Sequence, residues 1–143
     1  MKIKSKLIKR VALGKAIGLV FGGIAFFVIP YIFNNSDLFL RFGVWLWYIT
    51  LGAFVGIFGV MNNHPFFKMD FPFWVRGIAL GGWMNFILAL FIYNNLVTLM
   101  QNTVFEGYSP FCLIFEGMLF GLIVDYFATK YFGEGKELVE SKK

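Results

Sequence analysis

The sequence predicts an all-α membrane protein, a compact bundle of four transmembrane helices with both termini on the cytoplasmic side. Of its 143 residues, 59% are hydrophobic and only 15% are charged, whereas soluble domains are roughly 25% charged. Four long stretches carry very few charges and approach the ~20 residues that a helix needs to cross the hydrocarbon core of a bilayer. These two observations together predict that the chain spans a membrane four times.

The charge-poor stretches set approximate limits for the four spans. Pro72 and Pro110 stand at the predicted starts of the third and fourth spans, where proline is favoured because its missing N–H has no helical partner to lose. Ser109 is a suitable N-cap for the fourth span. The predicted spans are residues 13–33, 41–61, 72–93 and 110–131.

Two short polar ends flank the predicted transmembrane domain of residues 13–132. Residues 1–12 are basic and allow two interpretations. They can lie as an amphipathic helix in the headgroup layer, or they can form a solvated positive flank that sets the orientation, which is the interpretation we favour. Residues 133–143 form a short polar cytoplasmic tail, which we expect to be frayed.

The distribution of basic residues predicts the orientation of the chain. Of the 13 Lys and Arg residues, only Arg41 falls on the side opposite to the termini in a four-span topology. Under the positive-inside rule both termini are therefore cytoplasmic, and we expect a multi-pass protein of the bacterial cytoplasmic membrane with the lipid bilayer around it. The basic residues flank apolar spans and do not form a basic and aromatic groove, so nucleic acid is not an expected partner.

The two longer connections are predicted to lie at the membrane interface. Residues 62–72 hold several phenylalanines between two prolines. His64 in this turn fits a hydrogen-bonded end residue better than a proton relay. In residues 94–109, apolar side chains at helical spacing predict a short interfacial helix, with packing against the bundle as the alternative.

Glycines four residues apart recur in all four spans. Small residues at this spacing let helix backbones approach closely, and in lipid such packing drives association because there is no hydrophobic attraction between helices. We therefore predict tight helix packing, and the same glycine-lined faces are candidates for contacts with other membrane proteins. The predicted helix-packing residues are Gly18, Gly22, Gly52, Gly56, Gly77, Gly81, Gly117 and Gly121, with Gly14 preceding the first pair.

The glycines also raise the question of an internal duplication. Residues 18–35 and 77–95 share a G-x-x-x-G-G opening and an Asn-Asn end, and the second and fourth spans then align from Thr50 and Phe115. The chain would consist of two parallel-repeat helical hairpins related by a pseudo-two-fold axis along the membrane normal. Chance similarity between glycine-rich apolar stretches is an equally good explanation.

Two carboxylates in the fourth span are the sharpest chemical signal, because ionisable groups at membrane depth are costly and are usually paired or functional. Glu116 and Asp125 are nine residues apart, which at about 100° per residue places them half a turn apart and argues against a shared site on one helix face. Asp125 continues the glycine stripe, and we predict an ion pair with Arg76 at the same depth. Snorkelling of Arg76 to the interface is the alternative.

Glu116 is predicted to lie on an apolar face in the outer half of the span, away from the glycines. It can share a hydrogen bond with Asn85 at a similar depth if it is protonated, as desolvation favours. Otherwise it meets another subunit or a water-filled gap. Glu116, Asn85, Asp125 and Arg76 are therefore the candidate transport or partner-facing residues.

Two classes of function follow. The first is a non-enzymatic accessory or scaffold protein, or an oligomer-forming subunit, that binds through glycine-lined helix faces. The second is a homo-oligomeric ion channel or proton-linked transporter that uses Glu116 or Asp125. Both imply a homo-oligomer or a larger membrane complex. With one His, one Cys and no nucleophile or phosphate-binding pattern, we expect no catalytic residue, metal or cofactor, and a lipid-acting enzyme is the least favoured class.

Overall fold

The computed structural model describes residues 5–33, 36–61 and 71–138, and within these ranges its regular structure is helical, without a β-strand. The α-helices are α1 Ser5–Ile32, α2 Leu38–Phe58, α3 Phe73–Phe91, α4 Tyr93–Met100 and α5 Leu113–Phe132. Helices α1, α2 and α3, and α5 together with the 3₁₀ turn before it, are long and apolar enough to cross a membrane. The predicted all-α class and the four membrane-spanning helices are confirmed, so the chain is an integral membrane protein.

Helix α1 begins well before the predicted first span and has no break at residue 12. It runs without interruption from Ser5, so the described part of the predicted basic segment forms the first turns of α1. The predicted start of the first span, at residue 13, was too late because charged side chains do not end a helix. A helix ends where its terminal backbone groups find other hydrogen-bond partners. Likewise α2 begins at Leu38, because the Asp37 carboxylate accepts a hydrogen bond of 2.7 Å from the N–H of Leu40.

The start of the fourth span agrees with the prediction. Pro110 opens the 3₁₀ turn Pro110–Cys112, and the Ser109 hydroxyl accepts a hydrogen bond of 3.4 Å from the N–H of Phe111. The predicted interfacial turn of residues 62–72 falls mostly outside the described residues, and His64 lies there too.

The short helix predicted in the third connection corresponds to α4, which packs against α3 and against the turn before α5. Its Met100 side chain is buried, whereas Asn94 and Thr98 are exposed. The Tyr93 and Phe111 rings lie 5.6 Å apart. Helix α4 therefore packs on the other helices along one side while most of its residues are exposed, and its position at the membrane interface stays a prediction.

Arg41 has a structural role that involves the proline in α1. Pro30 lies inside this helix, and because proline has no N–H it leaves the carbonyl of Phe26 without its helical hydrogen bond. The Nε of Arg41 donates to that carbonyl at 2.8 Å, and its guanidinium lies over the Phe26 ring, 4.2 Å from the centroid. Arg41, the one Lys or Arg residue predicted on the side opposite to the termini, thus supplies a hydrogen-bond donor in place of the missing N–H and connects α2 to α1.

The four long helices are arranged as two hairpins. Helix α1 packs extensively against α2, and α3 packs extensively against α5, which also contacts α1 and α2. The starts of α1 and α3 meet the ends of α2 and α5, where Arg10, Gly56, Arg76 and Asp125 are in contact. We call this end of the molecule the charged end and the opposite one the far end.

Direct backbone contact between glycines holds each hairpin together. A Cβ atom on Gly14 would overlap the carbonyl of Gly52 and the reverse is also true, and Gly81 and Gly117 stand in the same relation. The predicted helix-packing glycines all lie at contacts between helices: Gly18 against Tyr48, Gly22 against Trp45, Gly52 against Gly14, Gly56 against Val11, Gly77 against Gly121 and Gly81 against Gly117.

The two hairpins differ in register. In the predicted duplication Gly18 corresponds to Gly77 and Gly56 to Gly121. Gly77 and Gly121 are in contact, so the same register in the first hairpin would bring Gly18 against Gly56. Instead Gly18 lies against Tyr48, and Gly56 lies against the backbone of α1 near its start. The duplication stays a prediction, and the contacts do not follow its alignment.

A cluster of three aromatic rings joins the hairpins. Phe21 of α1, Tyr48 of α2 and Phe120 of α5 are mutually in contact, with ring centroids 4.9–5.2 Å apart. Leu51, Val55 and Val124 complete a fully buried core beside them. Tilted aromatic pairs add a specific attraction to the dispersion energy of close packing. Helix α5 is therefore held between α3 on one face and the first hairpin on the other.

Candidate functional site: two polar clusters along α5

Asp125 is the centre of a buried ionic group, the charged cluster, which consists of Arg10, Arg76, Asp125 and Glu134. The Nε of Arg76 donates to Asp125 Oδ2 at 2.7 Å, and its Nη2 donates to Oδ1 at 3.0 Å. Arg10 forms a second ion pair with Oδ1. The predicted ion pair between Arg76 and Asp125 is present, and Arg76 does not snorkel, because only 5% of its side chain is exposed.

Arg10 is the residue that sequence reasoning missed. We expected it in a solvated flank, but its side chain is completely buried. Besides Asp125, it donates to the Gly56 carbonyl at 3.1 Å, to the Thr129 hydroxyl at 3.1 Å and to the Gly133 carbonyl at 2.5 Å. The sequence did contain a signal for this position, because Arg10 is four residues before Gly14 and so continues the glycine stripe of α1.

Glycines at the end of α2 make room for the Arg10 guanidinium. A Cβ atom on Gly59 would overlap the guanidinium group, and one on Gly56 would press on the backbone of Arg10 and Val11. The N–H of Gly135 donates to the carbonyl of Gly59 at 2.9 Å. The end of α2 is therefore shaped to accept a charged side chain from α1 and a backbone segment from beyond α5.

The segment after α5 closes the charged cluster. Arg76 Nη2 donates to Glu134 Oε2 at 2.9 Å, and 32% of the Glu134 side chain is exposed. A 3₁₀ turn, Gly135–Leu138, follows, and Leu138 is fully buried. The expectation of a frayed tail is therefore wrong for residues 133–138, because an ion pair and an apolar anchor hold them; the rest of the tail lies outside the described residues.

The charged cluster is electrically balanced. Two guanidinium groups face two carboxylates, and the Thr129 hydroxyl and backbone carbonyls accept further hydrogen bonds from the arginines. Burying an ion is costly, and good geometry with added hydrogen bonds is what offsets that cost. Within the described residues, the one buried side-chain polar atom without a hydrogen-bond partner is the hydroxyl of Ser36, far from this cluster. The charged cluster is thus a closed network.

A second polar group, the Glu116 cluster, lies toward the far end and consists of Trp47, Tyr48, Asn85 and Glu116. Asn85 is fully buried: its Oδ1 accepts from Trp47 Nε1 at 2.9 Å, and its Nδ2 donates to the Leu113 carbonyl at 2.9 Å. A Cβ atom on Gly117 would lie 2.6 Å from the Asn85 side chain. This glycine therefore allows the amide to pack at the contact between α3 and α5.

Glu116 sits on the face of α5 that meets the first hairpin. It is half-buried, and the Tyr48 hydroxyl lies beside both its carboxyl group and the Asn85 amide. We predicted a hydrogen bond between Glu116 and Asn85, but the described residues do not form it. The Tyr48 side chain lies next to both. Phe120, one turn further along the same face, is buried in the aromatic cluster. We predicted that this apolar face of α5 takes no part in packing within the chain, but it forms the contact between the two hairpins.

Among the described residues, Glu116 has no cation beside it. The ion pairs formed among the described residues join Arg10, Arg76, Asp125 and Glu134 only. Arg41, the basic residue toward the far end, donates to the Phe26 carbonyl. The two carboxylates of α5 therefore have opposite electrostatic surroundings.

The described residues do not include a group of three or more His, Cys, Asp or Glu side chains that could hold a metal ion. Cys112, at the start of α5, is exposed and free. Comparison with protein-family models, with curated proteins and with solved structures finds no match for this chain.

Proposed function

We propose that this protein is a non-enzymatic accessory or scaffold subunit of the membrane, which binds another membrane protein or further copies of itself inside the bilayer. The observation that carries this proposal is the closure of the charged cluster. Its arginines and carboxylates neutralise one another and are covered by the segment after α5. Intramembrane charges that are paired in this way hold helices together, so none of these four groups is free to line a permeation path.

The proposed partner contact lies on the outer face of α2 and not on the predicted glycine faces, which are occupied within the chain. Gly43 has open space around it, unlike the other described glycines of the long helices. It is flanked on this face by Phe39 and Leu46, which are both exposed. A small residue between large apolar ones lets a neighbouring helix approach closely, which is the geometry that helix association in lipid needs.

The proposed orientation places the charged end and both termini in the cytoplasm of a bacterial cell, with the four long helices as a bundle across the cytoplasmic membrane. Lys6, Lys9 and Lys130 lie near the charged end, and Arg41 is the basic residue near the far end. This asymmetry supports the orientation under the positive-inside rule.

Extraction in a mild detergent from native membranes, followed by mass measurement of the intact complex, tests the proposal. We expect a mass above that of one chain, and we expect Gly43→Leu to release the monomer. Val20→Leu, which adds bulk at an exposed position of α1, is the matched control and should leave the complex intact. A wild-type protein that is monomeric under these conditions would refute the accessory role.

A proton-linked transporter or channel is the second candidate, and it is favoured by Glu116 alone. This carboxyl group lies between the hairpins and forms no ion pair with the part of the chain that the structure describes, as a group on a proton path would. Four helices of this length leave little room for a water-filled path, so transport would require an oligomer or a partner. Proteoliposomes should then show proton or ion flux that Glu116→Gln abolishes, and no flux over a wide pH range would dismiss this candidate.

A further inference from the structure

Lys130, in the last turn of α5, is an exposed cation that forms no ion pair with the described residues. Glu134 is four residues further along, a spacing at which a lysine and a glutamate pair in a continuous helix. Helix α5 instead ends at Phe132, and the chain turns at Gly133, where φ is 76°. Glu134 then pairs with Arg76. The turn that closes the charged cluster therefore leaves the positive charge of Lys130 uncompensated.

Two tyrosine rings hold the Lys130 ammonium group. Its Nζ lies 5.7 Å from the ring centroid of Tyr126 and 6.0 Å from that of Tyr131, which is the range of a cation–π attraction. Each ring has an aromatic contact of its own: Tyr126 lies 5.7 Å from Phe73 of α3, and Tyr131 is stacked on Phe127 with the ring planes 8° apart. The ammonium group is thus positioned by rings that are themselves packed.

This group of side chains lies at the level of the lipid headgroups. The apolar helical segment Pro110–Phe132 has 23 residues, or roughly 35 Å at 1.5 Å per residue, whereas the hydrocarbon core of a bilayer is about 30 Å thick. Tyrosine favours the boundary between the two because its ring is apolar and its hydroxyl is polar. Tyr126 is 42% exposed and Tyr131 is 62% exposed, so a headgroup can reach both side chains.

We propose that Lys130, together with Tyr126 and Tyr131, is a binding site for the headgroup of an anionic phospholipid. The ammonium group has three N–H donors and each phenol has an O–H donor, all of which can donate to phosphate oxygens. A zwitterionic headgroup carries a cation beside its phosphate, which Lys130 repels, so the site selects lipids with a net negative charge. The site requires a chain embedded in a membrane and does not depend on the accessory role.

Titration of the purified full chain with two lipids in a mild detergent tests the proposal. Phosphatidylglycerol and phosphatidylcholine with the same acyl chains are the probes, and mass measurement of the intact protein counts the bound lipids and gives the dissociation constants. We expect phosphatidylglycerol to bind more tightly. Equal binding of the two lipids would overturn the proposal. Displacement of phosphatidylglycerol by inorganic phosphate at the same concentration would show a site for free phosphate and would overturn the assignment to a lipid.

Variants of Lys130 separate this site from a general effect of positive charge and from the stabilisation that a lysine gives to a helix end. Lys130→Gln should weaken the binding of phosphatidylglycerol about tenfold, because a charge-assisted hydrogen bond is lost, while Lys130→Arg should keep most of the binding. Lys9→Gln is the matched control, since Lys9 is an exposed lysine of α1 without a ring contact among the described residues. Equal losses for the two glutamine variants, or for Lys130→Arg and Lys130→Gln, would overturn the proposal.

Tyr131 tests whether the rings contribute. Tyr131→Phe keeps the ring beside the ammonium group, whereas Tyr131→Leu removes it, so the leucine variant should bind phosphatidylglycerol about two- to fivefold more weakly than the phenylalanine variant. The side chain is largely exposed, so both variants should unfold at the temperature of the wild type. Equal affinities of two such folded variants would overturn the role of the Tyr131 ring.

Discussion

Asp125 and Glu116 lie on one helix, nine residues apart, and their electrostatic surroundings are opposite. Asp125 receives two guanidinium groups and is fully buried, whereas Glu116 is half-buried beside a hydroxyl and an amide. Both positions are at contacts between helices, so packing alone does not explain the difference. The comparison shows that the available cations decide how each carboxylate is stabilised.

The two ends of the molecule differ in how many arginine side chains can reach α5, and the arrangement of the helices explains this difference. At the charged end, α1 and α3 each bring an arginine within reach of α5. Toward the far end Arg41 is engaged by the carbonyl that Pro30 leaves free. Glu116 is stabilised instead by neutral donors, since it lies beside the Tyr48 hydroxyl and in the first turn of α5, where the positive end of the helix dipole favours a negative charge.

Replacing Asp125 should cause the largest loss of stability. Asp125→Ala leaves two buried guanidinium groups without their shared partner, which costs about 3–5 kcal/mol for a buried pair. Thermal unfolding in detergent micelles measures this loss. The combined change Arg10→Met, Arg76→Met, Asp125→Leu and Glu134→Gln should recover most of it, because it removes both partners of every ion pair and leaves no uncompensated charge. An Asp125→Ala variant as stable as the wild type would show that the charged cluster does not stabilise the packing of the helices.

Adding bulk at a glycine contact should have the next largest effect. Gly81→Leu places a side chain where the carbonyl of Gly117 lies, so the hairpin of α3 and α5 must separate, at about 3 kcal/mol or more. Val20→Leu, at an exposed position of α1, is the matched control and should leave the unfolding temperature unchanged. Equal unfolding temperatures for the two leucine variants would contradict the glycine contacts described here.

Arg41 offers a test at the far end. Arg41→Met should destabilise the protein by about 1–3 kcal/mol, because the Phe26 carbonyl loses its donor. In a Pro30→Ala background the restored N–H can serve that carbonyl, so the same change should cost less. A double-mutant cycle measures this coupling. If the two changes are simply additive, Arg41 does not act through the carbonyl that proline leaves free.

Glu116→Gln should have the smallest effect on stability, within about 0.5 kcal/mol. Glutamine has nearly the shape of glutamic acid and can hydrogen-bond to Tyr48, and Glu116 forms no ion pair among the described residues that the change would remove. Unfolding measured beside Asp125→Asn, which should be strongly destabilised, gives the direct comparison. A loss for Glu116→Gln as large as that for Asp125→Asn would indicate a cation partner for Glu116 and would remove the contrast between the two carboxylates.

Much of the charged cluster could be predicted because it follows from distances along helices. Asp125 was placed at a helix contact by the glycine stripe that it continues, Arg76 was matched to it by depth, and the two are paired. Arg10 was missed because it was counted with the basic flank, although it too continues a glycine stripe. The ion pair between Arg76 and Glu134 could not be predicted, since it depends on the path of the chain after α5.

The helical class, the number of long apolar helices and the relative heights of Arg76 and Asp125 could be predicted from the amino-acid pattern, because rise and periodicity are local properties of a helix. The three-dimensional packing was needed to show which neighbour each residue meets. It brought Arg10 into the core, placed Glu116 between the hairpins, and set Gly14 against Gly52 and not Gly18 against Gly56. Lateral partners and register depend on many backbone and side-chain contacts formed at once, and no single helix contains that information.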